Sequence, residues 1–285
     1  MSDLLSTLSV PEKTILAAFL VIAPPNGAPF TREMIGSHTY APSKYLTDQF
    51  LTLLINKGII TIEEDNSNFH PDNELELTPR SKLSVAIEND QQSFSQLLDE
   101  LNLKQHASNR SKEVEDLLAK VLIDECIMFL TEISTLDISN HNSIDTLSPD
   151  LLEILADRSI SETYMLLWRA SNDSNPIEER YYYLRGCATT RLERLVRKAY
   201  QFHLEYKSTN KKVKPFLRRS RPQTSSITLL LMEELFNLGT SYYEHPTPLL
   251  PRRTERDTEH LSDEEKKFLT ADAPQWLIKG SQFFT

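Results

Sequence analysis

Apolar residues recur at helical spacing along most of this chain. The run Ile15 to Ile22 is apolar and closed by Pro24 and Pro25, which predicts a short buried helix. From about Ser43 to Asn56, Leu46, Phe50, Leu53 and Leu54 fall at i, i+4, i+7 and i+8, one stripe of a helix. Pro79 to about Leu103 also reads as helical, with Leu83, Ala86 and Ile87 and then Phe94, Leu97, Leu98 and Leu101. Ser111 to Thr135 is a long amphipathic helix with Val114, Leu117, Leu118, Val121, Leu122 and Met128 near one stripe. Ser148-Pro149-Asp150 is a helix start leading to about Ala156, and Ile160 to Ala170 is a second helix. Asn175-Pro176 opens the longest helix, ending near Tyr206, and Ile227 to Leu238 is an apolar helix closed by Gly239.

Between the first helices the pattern changes. Phe30 to Ile35 reads as a short helix capped by Thr31. Gly58 suits the left-handed position after the helix that ends at Asn56. Ile59 to Ile62 is β-branched and strand-like, Asp65 to Asn68 is turn chemistry, and Glu74 to Thr78 alternates with period two. Three helices and a two-stranded ribbon in this order resemble a winged helix-turn-helix domain. The segments Leu54-Ile55-Asn56-Lys57-Gly58-Ile59-Ile60 and Leu77-Thr78-Pro79-Arg80 carry the likeness, which covers roughly the first 85 residues. It implies a third helix presented to a DNA groove, though a fold does not fix a function.

The expected fold class is mainly α. An N-terminal winged helix (three helices plus a two-stranded wing) over residues 1–80 is followed by a helical linker at 81–110 and a larger all-helical domain at 111–285. Residues 1–10 read as a short arm. The six glycines of the 285 residues favour helix over sheet. No apolar run reaches the roughly 18–20 residues that span a bilayer, and Asp3 and Glu12 stand where a signal peptide would be basic. An intracellular, cytoplasmic or nucleoid-associated protein is expected. Cys126 and Cys187 read as two buried thiols.

Charge alters this picture. The formal net charge is −10, yet residues 178–221 hold 13 Lys and Arg against 4 Asp and Glu. Arg191, Arg194 and Lys198 share one helix face by i, i+3 and i+7 spacing, beside Arg180, Arg185 and Arg197. Lys211, Lys212, Lys214, Arg218, Arg219 and Arg221 follow on a connector expected to be extended and mobile. Tyr181, Tyr182, Tyr183, Tyr200, Phe202 and Tyr206 interleave with these cations. Such a surface can track phosphates while aromatics stack on bases. Equally, the tyrosines can be core and the cations can answer acids elsewhere.

On the third helix the outward positions are expected to be Ser43, Lys44, Tyr45, Thr47, Asp48 and Gln49. Lys can donate to guanine, Gln can pair with adenine, and Tyr or Thr can hold phosphate. Asp48 would need a cytosine amine or a neighbouring lysine. The wing argues otherwise, because Glu63, Glu64, Asp65, Asp72, Glu74 and Glu76 crowd it without a cation between Gly58 and Pro79.

Glu178 to Arg185 and Arg191 to Leu195 are also similar to the long central helix of GINS replication subunits, and Leu261 to Glu265 to a later segment of them. The stretch Val196 to His260 is longer than that family has, and a winged helix in front is not its usual layout.

Gly-rich phosphate loops, H-E-x-x-H and G-x-S-x-G are missing, and the seven histidines lack ligand spacing. Asp124-Glu125 has no identifiable partner carboxylate and reads as a surface or capping pair. No catalytic site, metal or cofactor is expected. The function expected is non-catalytic binding of nucleic acid, DNA above all, by a regulator or a subunit of a DNA-handling assembly. That implies protein partners or self-association and no membrane. The competing class is an adaptor whose winged helix and helical domain bind partner subunits.

Overall fold

The computed structural model describes residues 2–24, 28–35, 40–62, 81–85, 91–106, 112–134, 144–173, 188–216, 224–232 and 243. The chain divides into two units, Met1–Leu250 and Pro251–Thr285, and every described residue falls in the first. That unit is mainly helical with one small sheet.

The chain opens with α1 (Ser2–Thr7) and α2 (Val10–Ile22). The stretch expected to be an arm is therefore helical, and Leu5 and Leu8 anchor it in the core. Ser9 starts α2 with a capping box. Its hydroxyl accepts from the Glu12 amide at 3.4 Å, and the Glu12 carboxylate accepts from the Ser9 amide at 2.8 Å.

Strand β1 (Phe30–Thr31) runs into a single 3-10 turn, Arg32–Met34. Thr31 precedes this turn, but its side chain makes no capping bond there. Helix α3 (Lys44–Asn56) is capped by the Ser43 hydroxyl, which accepts from the Leu46 amide at 3.0 Å. Leu46, Phe50 and Leu54 form its buried stripe together with Leu51, while Leu53 is half-buried. Gly58, at φ 70°, closes the helix in the left-handed region. Its amide donates to Ile55 at 2.8 Å and the next amide, of Ile59, donates to Leu54 at 3.0 Å.

Strand β2 (Ile60–Ile62) follows, but its partner differs from the one expected. β3 is Lys82–Val85, within the stretch read as helix. Leu83 and Val85 alternate inward with period two, and pairing to β2 outweighs the helical spacing of Leu83 with its neighbours. The sheet order is β1-β3-β2, antiparallel throughout. Glu74 to Thr78 and the acidic wing residues from Glu63 to Glu76 lie outside the described residues.

Then come α4 (Gln91–His106), α5 (Lys112–Ser134), α6 (Ile144–Asp157), α7 (Ile160–Asn172), α8 (Ala188–Ser208) and α9 (Ser226–Leu230). Helix α6 starts before Ser148, so Pro149 sits inside it and forgoes one main-chain bond. Ser159 and Glu162 form a second capping box at the start of α7. The expected starts at Asn175 and the end at Leu238 lie outside the described residues.

Packing crosses the boundaries at 80 and 110. Lys13 of α2 is buried and bonds Glu100 of α4 at 2.6 Å. Helix α9 returns to α2, where the Ser226 hydroxyl donates to the Ala18 carbonyl at 2.9 Å. Tyr40 is fully buried at this junction. Its hydroxyl donates to the Ile15 carbonyl at 2.9 Å, and its carbonyl accepts from the Ile227 amide at 3.1 Å. Its ring meets Phe19 and Phe50 edge-on, with centroids 5.5 and 6.0 Å away.

Phe50→Ala is expected to lower the stability of the whole unit by about 3–5 kcal/mol, because the ring fills a shared core. Chemical denaturation followed by circular dichroism checks this. An unchanged midpoint would mean that the Phe50 site collapses without loss.

Candidate nucleic-acid interface

The start of α3 is turned into the protein. The Ser43 amide donates to the Asp124 carboxylate of α5 at 2.9 Å, and Ser43 is itself buried. Thr47, expected to face outward, is fully buried and its hydroxyl donates to the Ser43 carbonyl at 2.8 Å. It cannot reach a phosphate. Asp48 is held by Arg32 at 2.6 Å, and the buried Arg32 also donates to the Ile35 carbonyl at 3.3 Å. The partner that Asp48 needs is thus an arginine of the same chain. Of the set expected on this helix, Lys44 is exposed and Tyr45 and Gln49 are half-buried. The Gln49 side-chain oxygen is itself buried.

The basic face of α8 is also largely occupied. Leu192, Leu195, Val196, Ala199 and Phe202 form its buried stripe against α6 and α7. Arg191, Arg194 and Lys198 flank that stripe half-buried, rather than standing in solvent. Burial lowers the pKa of the Arg194 guanidinium. Lys198 donates to the Asp173 carbonyl at 2.6 Å. Burial lowers its pKa as well, with Asp173 opposing and Arg194 and Arg169 assisting. Arg197, one step round the helix, is exposed.

The aromatics of α8 likewise serve the fold. The Tyr200 hydroxyl donates to Glu153 at 2.7 Å. Arg169 of α7 lies over the Phe202 ring at 4.3 Å and donates to the Tyr206 hydroxyl at 2.9 Å. Tyr181, Tyr182 and Tyr183 lie outside the described residues.

After α8 residues 211–216 form a strap bonded to the helices at both ends, while 217–223 of the expected connector lie outside the described residues. Asn210 adopts the left-handed φ of 48°, and the Lys211 amide donates back to Tyr206 at 2.9 Å. Val213 is buried. The Phe216 amide then donates to the Ser161 carbonyl of α7 at 2.9 Å. The Phe216 ring packs edge-on against Phe129 of α5, with centroids 5.1 Å apart, and lies 6.2 Å from Trp168 of α7. Between these anchors Lys211, Lys212 and Lys214 are exposed, and no carboxylate pairs with them among the described residues. Arg218, Arg219 and Arg221 lie outside the described residues.

Sequence reasoning did not single out Trp168, which is 42% exposed beside this strap. Its helical spacing marks it as one more apolar position, and only its contact with Phe216 links it to the segment that carries the lysines.

Other ionisable groups serve the interior. Asp124 is buried and receives the amide at the head of α3, and Glu125 beside it is half-buried. Glu125 accepts from the Thr228 hydroxyl of α9 at 2.7 Å. Burial raises its pKa to about 7, the Thr228 bond opposes this, and the neighbouring Asp124 charge adds to it. Cys126 is buried, its thiol raised well above the ordinary value by burial and then by Glu125; Cys187 is not among the described residues. His203 is fully buried in the α6–α8 contact, 3.4 Å from Asp157. Burial lowers its pKa, and Arg158 and Lys207 lower it further against Asp157 and Glu153. No group of three metal-ligating side chains occurs among the described residues. No helix among them is long and apolar enough to cross a membrane.

The raised pKa of Glu125 carries a pH dependence. Between its ordinary value of 4.5 and about 7, the folded protein holds a proton that the unfolded chain has released. The stability from Glu125 is therefore full below that ordinary value and is lost as pH rises through about 7. His203 has the opposite sign, costing stability as pH falls below its ordinary 6.5. Glu125→Gln is expected to match wild type near pH 5 and to exceed it at about pH 8 by about 1–3 kcal/mol. Denaturation midpoints of both proteins at the two pH values check this. A constant difference would show that Glu125 titrates normally.

No family model, curated protein or solved structure matches this chain, so the reading of its interface rests on its own residues.

Proposed function

We propose that this chain is a non-catalytic nucleic-acid-binding protein, a regulator or a subunit of a DNA-handling assembly, that holds phosphates with Lys211, Lys212 and Lys214. The observation that carries the reading is their placement. Three cations stand exposed on a segment fixed by Val213 and Phe216, in a chain of net charge −10. Fixed cations attract a polyanion with little ordering cost, and they bind without regard to sequence. Arg197 and Lys44 are further exposed cations.

We further propose that residues 10–85 form a winged helix-turn-helix. The order of helix, strand, short turn, helix and two strands supports it, as does the strand order β1-β3-β2. Base reading by α3 has weaker support, since Ser43 and Thr47 are buried and Asp48 is paired.

The second reading is an adaptor that binds partner proteins. It is favoured by Met34 and Val21, which stand 68% and 57% exposed, and by the Ser43–Asp124 bond that occupies the entry of α3.

Reversing Lys211, Lys212 and Lys214 to glutamate separates the two. If the strap holds phosphates, affinity is expected to fall on the order of tenfold or more for every sequence alike. The plot of log K against log salt should flatten by roughly 0.7–0.9 for each lost contact. Melting temperature should hardly move, because the side chains are exposed. Binding to duplex and single-stranded oligonucleotides across a salt series checks this. An affinity untouched by the reversal, with a loosened protein complex instead, would establish the adaptor.

A further inference from the structure

We infer that Trp168 is a base-stacking platform and that the nucleic acid held by this strap is single-stranded; this rests on the nucleic-acid reading above. The geometry begins with an aromatic cluster where α5, α7 and the strap meet. Phe129 stacks on Tyr164 with centroids 4.0 Å apart, Phe216 closes edge-on over Phe129, and Trp168 lies against Phe216. Trp168 is the outermost ring, with 42% of its surface in water.

Among the described residues Phe216 is the ring that packs against Trp168. The cation next to it in sequence, Arg169, lies over Phe202 and Tyr206. The indole is thus supported by Phe216 and partly open to solvent, where it offers apolar aromatic surface.

The charge beside it selects the occupant. Phe216 packs against Trp168, and Lys214 stands two residues before Phe216 on a segment outside helix and sheet, with Lys212 two residues before that. Residues i and i+2 of extended chain lie roughly 6.6 Å apart. The ring that supports the indole therefore follows closely in the chain on two exposed cations, and cations two residues apart can hold successive phosphates. A ligand with an aromatic plane and a backbone phosphate satisfies both. In a duplex the base faces are already stacked on their neighbours, so only unpaired bases can lie on the indole.

The test uses the full chain with Trp276→Phe, which leaves Trp168 as the sole tryptophan of the two in the sequence. Oligothymidylate, oligouridylate and a blunt duplex of equal length are titrated at several salt concentrations, reading indole fluorescence and Kd. Binding of either single strand should quench Trp168, and binding of the duplex should not. In the native background, Trp168→Leu keeps an apolar contact to Phe216 and should weaken single-strand binding by roughly tenfold, since stacking on one base is worth about that much. Duplex affinity should stay unchanged, and Trp168→Phe should restore most of the loss. Comparing the two single strands decides between DNA and RNA. Single-strand binding without quenching, or with full affinity in Trp168→Leu, overturns the platform and leaves the phosphate-holding strap standing. Equal weakening for duplex and single strand overturns it as well. Failure of the wild type to bind any of the three removes the nucleic-acid reading itself.

Discussion

The arrangement depends on satisfying the backbone of a turn residue buried at the centre of the protein. Tyr40 belongs to no regular element, so no ladder serves its carbonyl. A buried carbonyl without a partner would be costly. The solution comes from near the far end of the described chain, where the Ile227 amide donates to it at 3.1 Å; the Ser226 hydroxyl, whose proton goes to the Ala18 carbonyl, lies 3.3 Å away. The Tyr40 hydroxyl in turn ties to α2, and its ring to Phe50 of α3. One residue thus fixes the mutual positions of α2, α3 and α9.

The same junction explains why buried acids recur in it. Asp124 of α5 receives the Ser43 amide at the head of α3, and Glu125 receives Thr228 of α9. Adjacent carboxylates on one helix therefore grip two different elements. A helix start that would otherwise leave orphan donors is closed by a side chain from another helix. Some cations are likewise used within the fold, Arg169 on the Tyr206 hydroxyl and Lys198 on the Asp173 carbonyl, whereas Lys211, Lys212 and Lys214 stand exposed.

Much of the fold was legible where one periodicity dominated. The span of α5, the stripe of α3 and the left-handed Gly58 follow from spacing and from backbone sterics at single residues. The strand Lys82–Val85 was not legible, because its alternation covers four residues and competes with a helical pattern that continues into α4. The site was half legible. Composition located the basic block, but not which cations are consumed internally. Arg191, Arg194 and Lys198 do share a helix face, yet that face borders the buried stripe, and no spacing rule states which side a partner helix covers. Thr47 shows the same limit, since its burial follows from α5 closing over the head of α3.

The bond from Ser226 to Ala18 joins residues 208 positions apart. During synthesis α2 emerges first and can pack on α3, α4 and α5 as they follow, but the Ala18 carbonyl receives the Ser226 hydroxyl only once α9 has been made. At about 5–20 residues per second, that interval is roughly 10–40 s. The α2–α9 closure is thus a contact of high sequence separation, of the kind that forms slowly. Truncation before residue 226 would remove the Ser226 bond to α2, the Ile227 bond to Tyr40 and the Thr228 bond to Glu125 together, a larger loss than the shortness of α9 suggests.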